Sequence, residues 1–189
     1  MTAFEDILWP QGQDNMGGLV DDLYYVPIDD IDFAAPPALA ADGVTISGDI
    51  TLKTDKKWLR IYHTRGTGKL DDTQVGERDG KSFENMVEFK FPGDTAKLVA
   101  FKRLVANTPV AVICKDAQGN YRLIGITIQN DPVASTDVPT LKFPAYIEQA
   151  SGTTGAKGSD AKGHTFQIKA EAVCPPLFYT GAIDVAGPA

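Results

Sequence analysis

The side chains best suited to acid–base, nucleophilic or metal chemistry in this 189-residue chain are His63, His164, Cys114 and Cys174. A catalytic serine, threonine or cysteine needs a base beside it. His63 alternates with Leu59 and Ile61, and His164 opens an alternating run, so both read as strand residues. Cys114 closes an apolar run with no helix start behind it to lower its pKa. The sequence has no G-x-S-x-G elbow, and the two histidines and two cysteines lack zinc-ligand spacing. Asp29, Asp30 and Asp32, beside Asp21 and Asp22, could gather around calcium, but the ligand order and glycine of an EF-hand are missing. A solvated acidic loop is the expected state. Gly66-Thr67-Gly68 and Gly152-Thr153-Thr154-Gly155 lack the strand-to-helix setting of a phosphate cradle. Carboxylate pairs fit for glycoside hydrolysis arise by abundance alone among 25 acidic residues. The expectation is therefore no catalytic residue, no metal site, no cofactor and no enzymatic activity.

Elements that could position a different kind of site are clearer. Val44, Ile46, Gly48, Ile50 and Leu52 alternate with Thr45, Ser47, Asp49, Thr51 and Lys53, which is the period of a half-buried strand. Phe83, Val87, Phe89 and Phe91 repeat that period, as do Phe166, Ile168, Ala170, Ala172 and Cys174. Segments 58–64 and 141–148 read likewise, with Pro144 placing the latter at an edge or bulge. Residues 109–114 and 121–128 form a hairpin through Asp116, Gly119 and Asn120. Val110 to Ile113 is apolar on both faces and belongs in the interior. One helix is expected at about 94–107, capped by Asp94, with Leu98, Phe101, Leu104 and Val105 on its apolar side. Lys102 and Arg103 then lie toward its negative end. The fold class is mainly β: an antiparallel β-sandwich or barrel with one helix packed on a sheet and long loops.

Residues 1–189 read as one β-rich domain, with an extended N-terminal segment (1–43) and long loops at 65–82 and 150–163. Residues 27–43 also lack a periodic pattern. Compact domains seldom carry such connections without a use for them. The run 151–163 is too small and polar to pack and is expected to be mobile in isolation. Both cysteines are expected as buried free thiols. The net charge of −7 and pI near 4.8 oppose ordinary nucleic-acid binding, though they suit a surface past which nucleic acid slides. Simple solubility explains the same acidity. No run approaches the ~20 apolar residues of a membrane span. Met1 to Pro10 lacks the pattern of a secretory signal, so a cytoplasmic origin is expected. Sheet edges and pliant connections suit self-assembly, whereas variable loops on a monomer would leave the same pattern.

Gly17-Gly-Leu-Val-Asp-Asp-Leu-Tyr-Tyr-Val-Pro27-Ile-Asp-Asp30 resembles the opening of phage and prophage virion proteins, and Cys174-Pro-Pro-Leu-Phe-Tyr179 is similar to their closing segment. The order of elements resembles that of phage tail-tube proteins. That resemblance implies a homo-oligomeric ring, a hexamer in that family, whose inner strands form a barrel around a DNA channel. Residues 65–82 would then be the loop that meets the next ring, and the helix would lie outside the barrel. It further implies other virion proteins as partners, DNA only as non-specific cargo, no membrane, and a place in the virion after assembly in the host cytoplasm. A second expectation is a β-sandwich that binds carbohydrate or another ligand, with Trp9, Trp58, Tyr24, Tyr25 and Tyr62 as a stacking platform.

Overall fold

The computed structural model describes residues 6–131 and 136–187. Residues 1–5, 132–135 and 188–189 of the expected 1–189 domain, and half of the segment read for a signal, lie outside the described residues. In chain order the strands are β1 (Leu19–Pro27), β2 (Thr45–Ile46), β3 (Leu59–Ile61), β4 (Lys69–Val75), β5 (Ser82–Pro92) and β6 (Val110–Asp116). They continue with β7 (Tyr121–Ile124), β8 (Thr127–Asp131), β9 (Thr136–Thr140), β10 (Tyr146–Thr153), β11 (Gly163–Ala172) and β12 (Leu177–Tyr179). One helix, α1 (Ala96–Val105), lies between β5 and β6. A six-stranded sheet runs β2-β12-β7-β6-β1-β3, a four-stranded sheet runs β10-β11-β5-β4, and β8 pairs with β9 alone. Only the β12–β2 pairing is parallel among these ladders. The chain is a mainly β, sandwich-like protein with one helix.

Strand β6 explains the layering. Val110, Val112 and Cys114 point to one apolar cluster and Ala111 and Ile113 to another, all fully buried. A strand buried on both faces needs a cover on each side. The first cover is the four-stranded sheet, whose Val87, Phe89, Phe166, Ile168 and Ala170 meet Leu23, Val112 and Ile124. Phe89 and Phe166 stack with centroids 5.3 Å apart, and Phe101 of α1 sets its edge against Phe166 at 6.0 Å and Tyr25 at 5.5 Å. The helix thus ties both sheets together. The second cover is irregular chain: Ile31, Ile50, Trp58, Ile126 and Cys174 pack with Ala111, Ile113 and Leu123 and with Ile46, Leu177 and Tyr179 of the sheet's own strands β2 and β12.

Several segments differ from their sequence pattern for identifiable reasons. The alternation over 44–53 yields only two strand residues. At Gly48 an added Cβ would come 2.7 Å from the Ala38 amide nitrogen, so residues 38–40 fold back onto the strand and end it. Val44 is consequently exposed while Ile46 and Ile50 remain buried. Residues 65–82, expected as a loop, contain β4, paired with β5 from Lys69↔Glu88 to Val75↔Ser82. Residues 150–163 likewise contain the end of β10, paired to β11 as far as Thr153↔Gly163. In 141–148 the strand begins only at Tyr146; Ala145 forms a bridge with Val110 instead. The second strand of the 109–128 hairpin stops at Ile124. Gly125 takes φ +87°, which a side chain rarely adopts, and redirects the chain into β8. Within 1–43, β1 is a central strand rather than an arm, and 28–43 belongs to the second cover.

Thr95, not Asp94, caps the helix: its hydroxyl accepts from the Leu98 amide at 3.2 Å. Leu98 and Val105 are buried and Phe101 half-buried, but Leu104 points outward.

Phe166→Ala removes the ring that both Phe89 and Phe101 contact, and is expected to cost about 3–5 kcal/mol, read as a lower urea midpoint with an unchanged slope. Gly125→Ala would force a Cβ within 2.4 Å of the Val110 carbonyl oxygen at a positive φ. It is expected to destabilise by more than about 1 kcal/mol, and an unchanged thermal midpoint would contradict this account of the β7–β8 break.

Candidate functional site

The residues singled out for chemistry do not converge. His63 follows β3 and is buried, its Nδ1 3.2 Å from the Thr64 carbonyl oxygen. His164 on β11 is also buried. Its Nε2 lies 3.2 Å from Asp94 Oδ1, and its Nδ1 lies 3.3 Å from Lys102 Nζ. These partners set the tautomer: the Lys102 ammonium donates to Nδ1 and the Nε2–H donates to Asp94. The imidazole therefore clips both ends of the helical segment to β11. Among the described residues, no hydroxyl or thiol hydrogen-bonds to either imidazole.

Both thiols are free and buried. Cys114 lies in the first cluster and Cys174 in the second, on opposite sides of the six-stranded sheet. Burial pushes the Cys114 thiol up from about 9 to about 12, with the Arg122 charge opposing only in part. A thiol held protonated is a poor nucleophile.

The acidic residues disperse. Asp30 pairs with Lys56 at 2.9 Å, Asp32 accepts from the Ala34 amide, and Asp22 on β1 faces Arg60 at 4.0 Å. The Asp21 side chain lies outside the described part. No group of three or more metal-ligating side chains gathers among the described residues. Gly66 and Gly68 form the turn into β4, with the Thr67 hydroxyl donating to the Thr64 carbonyl at 2.6 Å. Gly155 opens a turn wound around Asp160, whose carboxylate accepts from the Ala156 and Lys157 amides at 2.9 Å. Those two bonds hold its pKa below the usual carboxylate value.

The five aromatics are also separated. Trp58 is in the second core, Tyr24 packs beside it, and Trp9 stands on the exposed N-terminal arm. Only Tyr25 and Tyr62 share a surface, a depression of about 310 Å³ bordered by Arg60, Phe91, Lys97 and Phe101. Another shallow depression of about 310 Å³ is bordered by Glu148, Glu171, Lys142 and Lys169. Both carboxylates there are exposed, without the unequal burial that separates a general acid from a general base.

What the fold does organise is the four-stranded sheet. Its inner face is the first core. Its outer face carries Lys69, Asp71 and Thr73 from β4, Glu84, Met86, Glu88 and Lys90 from β5, and Thr165, Gln167, Lys169 and Glu171 from β11. Gln167 donates to Glu88 at 2.8 Å, and Lys169 pairs with Glu84 at 2.9 Å, which raises the lysine's pKa. Lys69 pairs with Asp71 at 2.8 Å. Acids and bases are thus interspersed on this face, with Val75, Met86 and Tyr146 among them.

Both margins of this sheet are open. The seven-residue β4 and eight-residue β10 have no further strand beside them among the described residues, and neither contains proline. The margins of the larger sheet are blunter: β2 has two residues and β3 three. Long open edges present unpaired amide and carbonyl groups to a further strand. The pattern of β4, with only Leu70 and Val75 apolar, hides such an edge from hydropathy reading. Its exposed charges were the one available signal. No family model, curated protein or solved structure matches the chain.

Cys114 is expected to resist an aromatic disulfide reagent at pH 8 until the protein unfolds. Its raised pKa also has a pH consequence. Between about pH 9 and 12 the unfolded thiol ionises and the folded one does not, so stability falls as pH rises through that window. Denaturation midpoints across the window should fall less steeply for Cys114→Ala than for the wild type; parallel slopes would refute this.

Proposed function

We propose that this chain is a self-assembling structural subunit of a virion, a tail-tube protein whose copies close into stacked rings around a DNA channel. The observation that carries the reading is the four-stranded sheet with a sealed inner face, a charged outer face and two long open margins. If β4 of one copy abuts β10 of the next, the contact is heterologous, and repeating it closes a ring. The sheets then merge into one barrel with Lys69, Asp71, Glu84, Glu88, Lys90, Lys169 and Glu171 toward the lumen. Such a lining of interspersed acids and bases offers no continuous basic track, so phosphates are not held in place. The β4–β5 tip, residues 76–81, is exposed throughout and carries Glu77, Arg78, Asp79 and Lys81, which suits a salt-sensitive contact with the adjacent ring. The resemblance of Gly17–Asp30 and Cys174–Tyr179 to virion proteins supports the same reading.

Sedimentation of the full chain across a wide concentration range tests it. Mass should rise from the 20.3 kDa monomer to a discrete ring, near six copies, and negative-stain images should show annuli or tubes. A single monomeric species at millimolar concentration, in low and high salt alike, would end the proposal.

A further inference from the structure

Helix α1 carries two apolar stripes. Leu98, Phe101 and Val105 face the core, whereas Ala96, Val99, Ala100 and Leu104 recur at three- and four-residue steps on the outside. Val99 is 55% exposed and Leu104 74%, and with Arg103 they border a shallow groove. The helix has no acidic residue; Lys97 and Arg103 flank the outer stripe and are both exposed. Elsewhere, the N-terminal arm presents the opposite character. Ile7, Leu8 and Trp9 are 94%, 80% and 60% exposed, next to Asp6. Among the described residues, Asp6 to Trp9 make no hydrogen bond to the body of the domain. The arm is tethered only further on, where Gln118 donates to the Asp14 carbonyl at 2.7 Å and Ala117 to the Gly18 carbonyl at 3.1 Å.

Three consecutive large apolar side chains in water are costly, and an amphipathic arm gains by laying them in a groove. The arm's own domain provides no seat for them in the folded chain. We infer that Ile7, Leu8 and Trp9 of one copy dock on the outer stripe of α1 in a second copy, with Asp6 toward Lys97 or Arg103. Apolar matching supplies the contact, and the opposite charges set its direction. The arm and the groove are different surfaces, so the contact is again heterologous and compatible with ring closure or with linkage between rings. This rests on the assembly reading above and names a second contact for it, independent of the sheet margins.

The test uses two full-length variants that keep the anchoring side chains, Pro10→Cys and Ala100→Cys, mixed and treated with a short bis-maleimide, with the doubly substituted chain as a control; the native cysteines are buried and do not compete. A cross-linked pair containing one chain of each kind is expected. In parallel, the exposed-arm variant Leu8→Ser/Trp9→Ser should weaken self-association about tenfold or more, as loss of an aromatic anchor does. The charge reversal Arg103→Glu should weaken it as well, and Asp6→Lys should restore part of that loss. If the wild type assembles but no mixed pair forms and the arm variant assembles equally well, the arm contact is wrong and the sheet-margin reading stands. If cross-linking occurs only within a doubly substituted chain, the arm folds back on its own helix and the inference is likewise overturned. A wild type that never associates defeats both.

Discussion

The double burial of β6 is the constraint on which the rest of the molecule depends. Val110 to Cys114 leave no face for water, so the sheet through which they run must be walled on both sides. One wall is regular, because β5 and β11 alternate strictly and can form a second sheet. The other is irregular, because the chain between β1 and β3 and the segment after β11 supply single anchors. Ile31, Ile50 and Trp58 on one side, and Cys174 on the other, do this, against Leu177 and Tyr179 of the sheet's own strand β12. Tyr179 also uses its hydroxyl as a rivet, accepting from the Ile50 amide at 3.3 Å and donating to the Ala182 carbonyl at 2.7 Å. Burial raises the pKa of that hydroxyl, consistent with a phenol held in its donating form.

That constraint also explains which parts of the fold could be read in advance. Strands with one buried and one wet face announced themselves through period two, and β6 announced itself by having no wet face. The helix followed from three- and four-residue steps, although Leu104 was assigned to the wrong side. Periodicity gives a stripe but not which of two neighbouring stripes faces in. In the irregular wall, only 27–43 reads as chain without a pattern, because its apolar residues are spaced by turns rather than by pleats; 44–53 and 58–64 read as strands, of which only Thr45–Ile46 and Leu59–Ile61 form. Strand β4 escaped notice for the opposite reason: an edge strand with few apolar side chains carries little pattern of its own, and only pairing with β5 defines it. For the candidate site, His164 and Cys114 did prove to sit in strands, whereas His63 and Cys174 lie just past strand ends, though buried, and the open sheet margins needed the strand order, which no local pattern encodes.

The two sheets divide labour. In the larger sheet, short end strands and packed covers leave little backbone on offer. In the smaller one, a sealed inner side fixes the strands while the charged outer side and bare margins remain available. Rigidity and availability thus come from the same eleven-residue and ten-residue strands, β5 and β11, which hold β4 and β10 in place without shielding their far sides.

The second core joins residues far apart along the chain: Phe178 pairs with Thr45, and Trp58 bridges to Val185. Pairings across such separations are slow to find because a long loop must close before any contact is gained. During synthesis on the ribosome, Ile46 and Trp58 therefore wait uncovered until nearly the whole polypeptide has been made. Only when the stretch from Cys174 onward emerges can that side close. That side of the larger sheet is thus the last part of the domain to gain its packing partners.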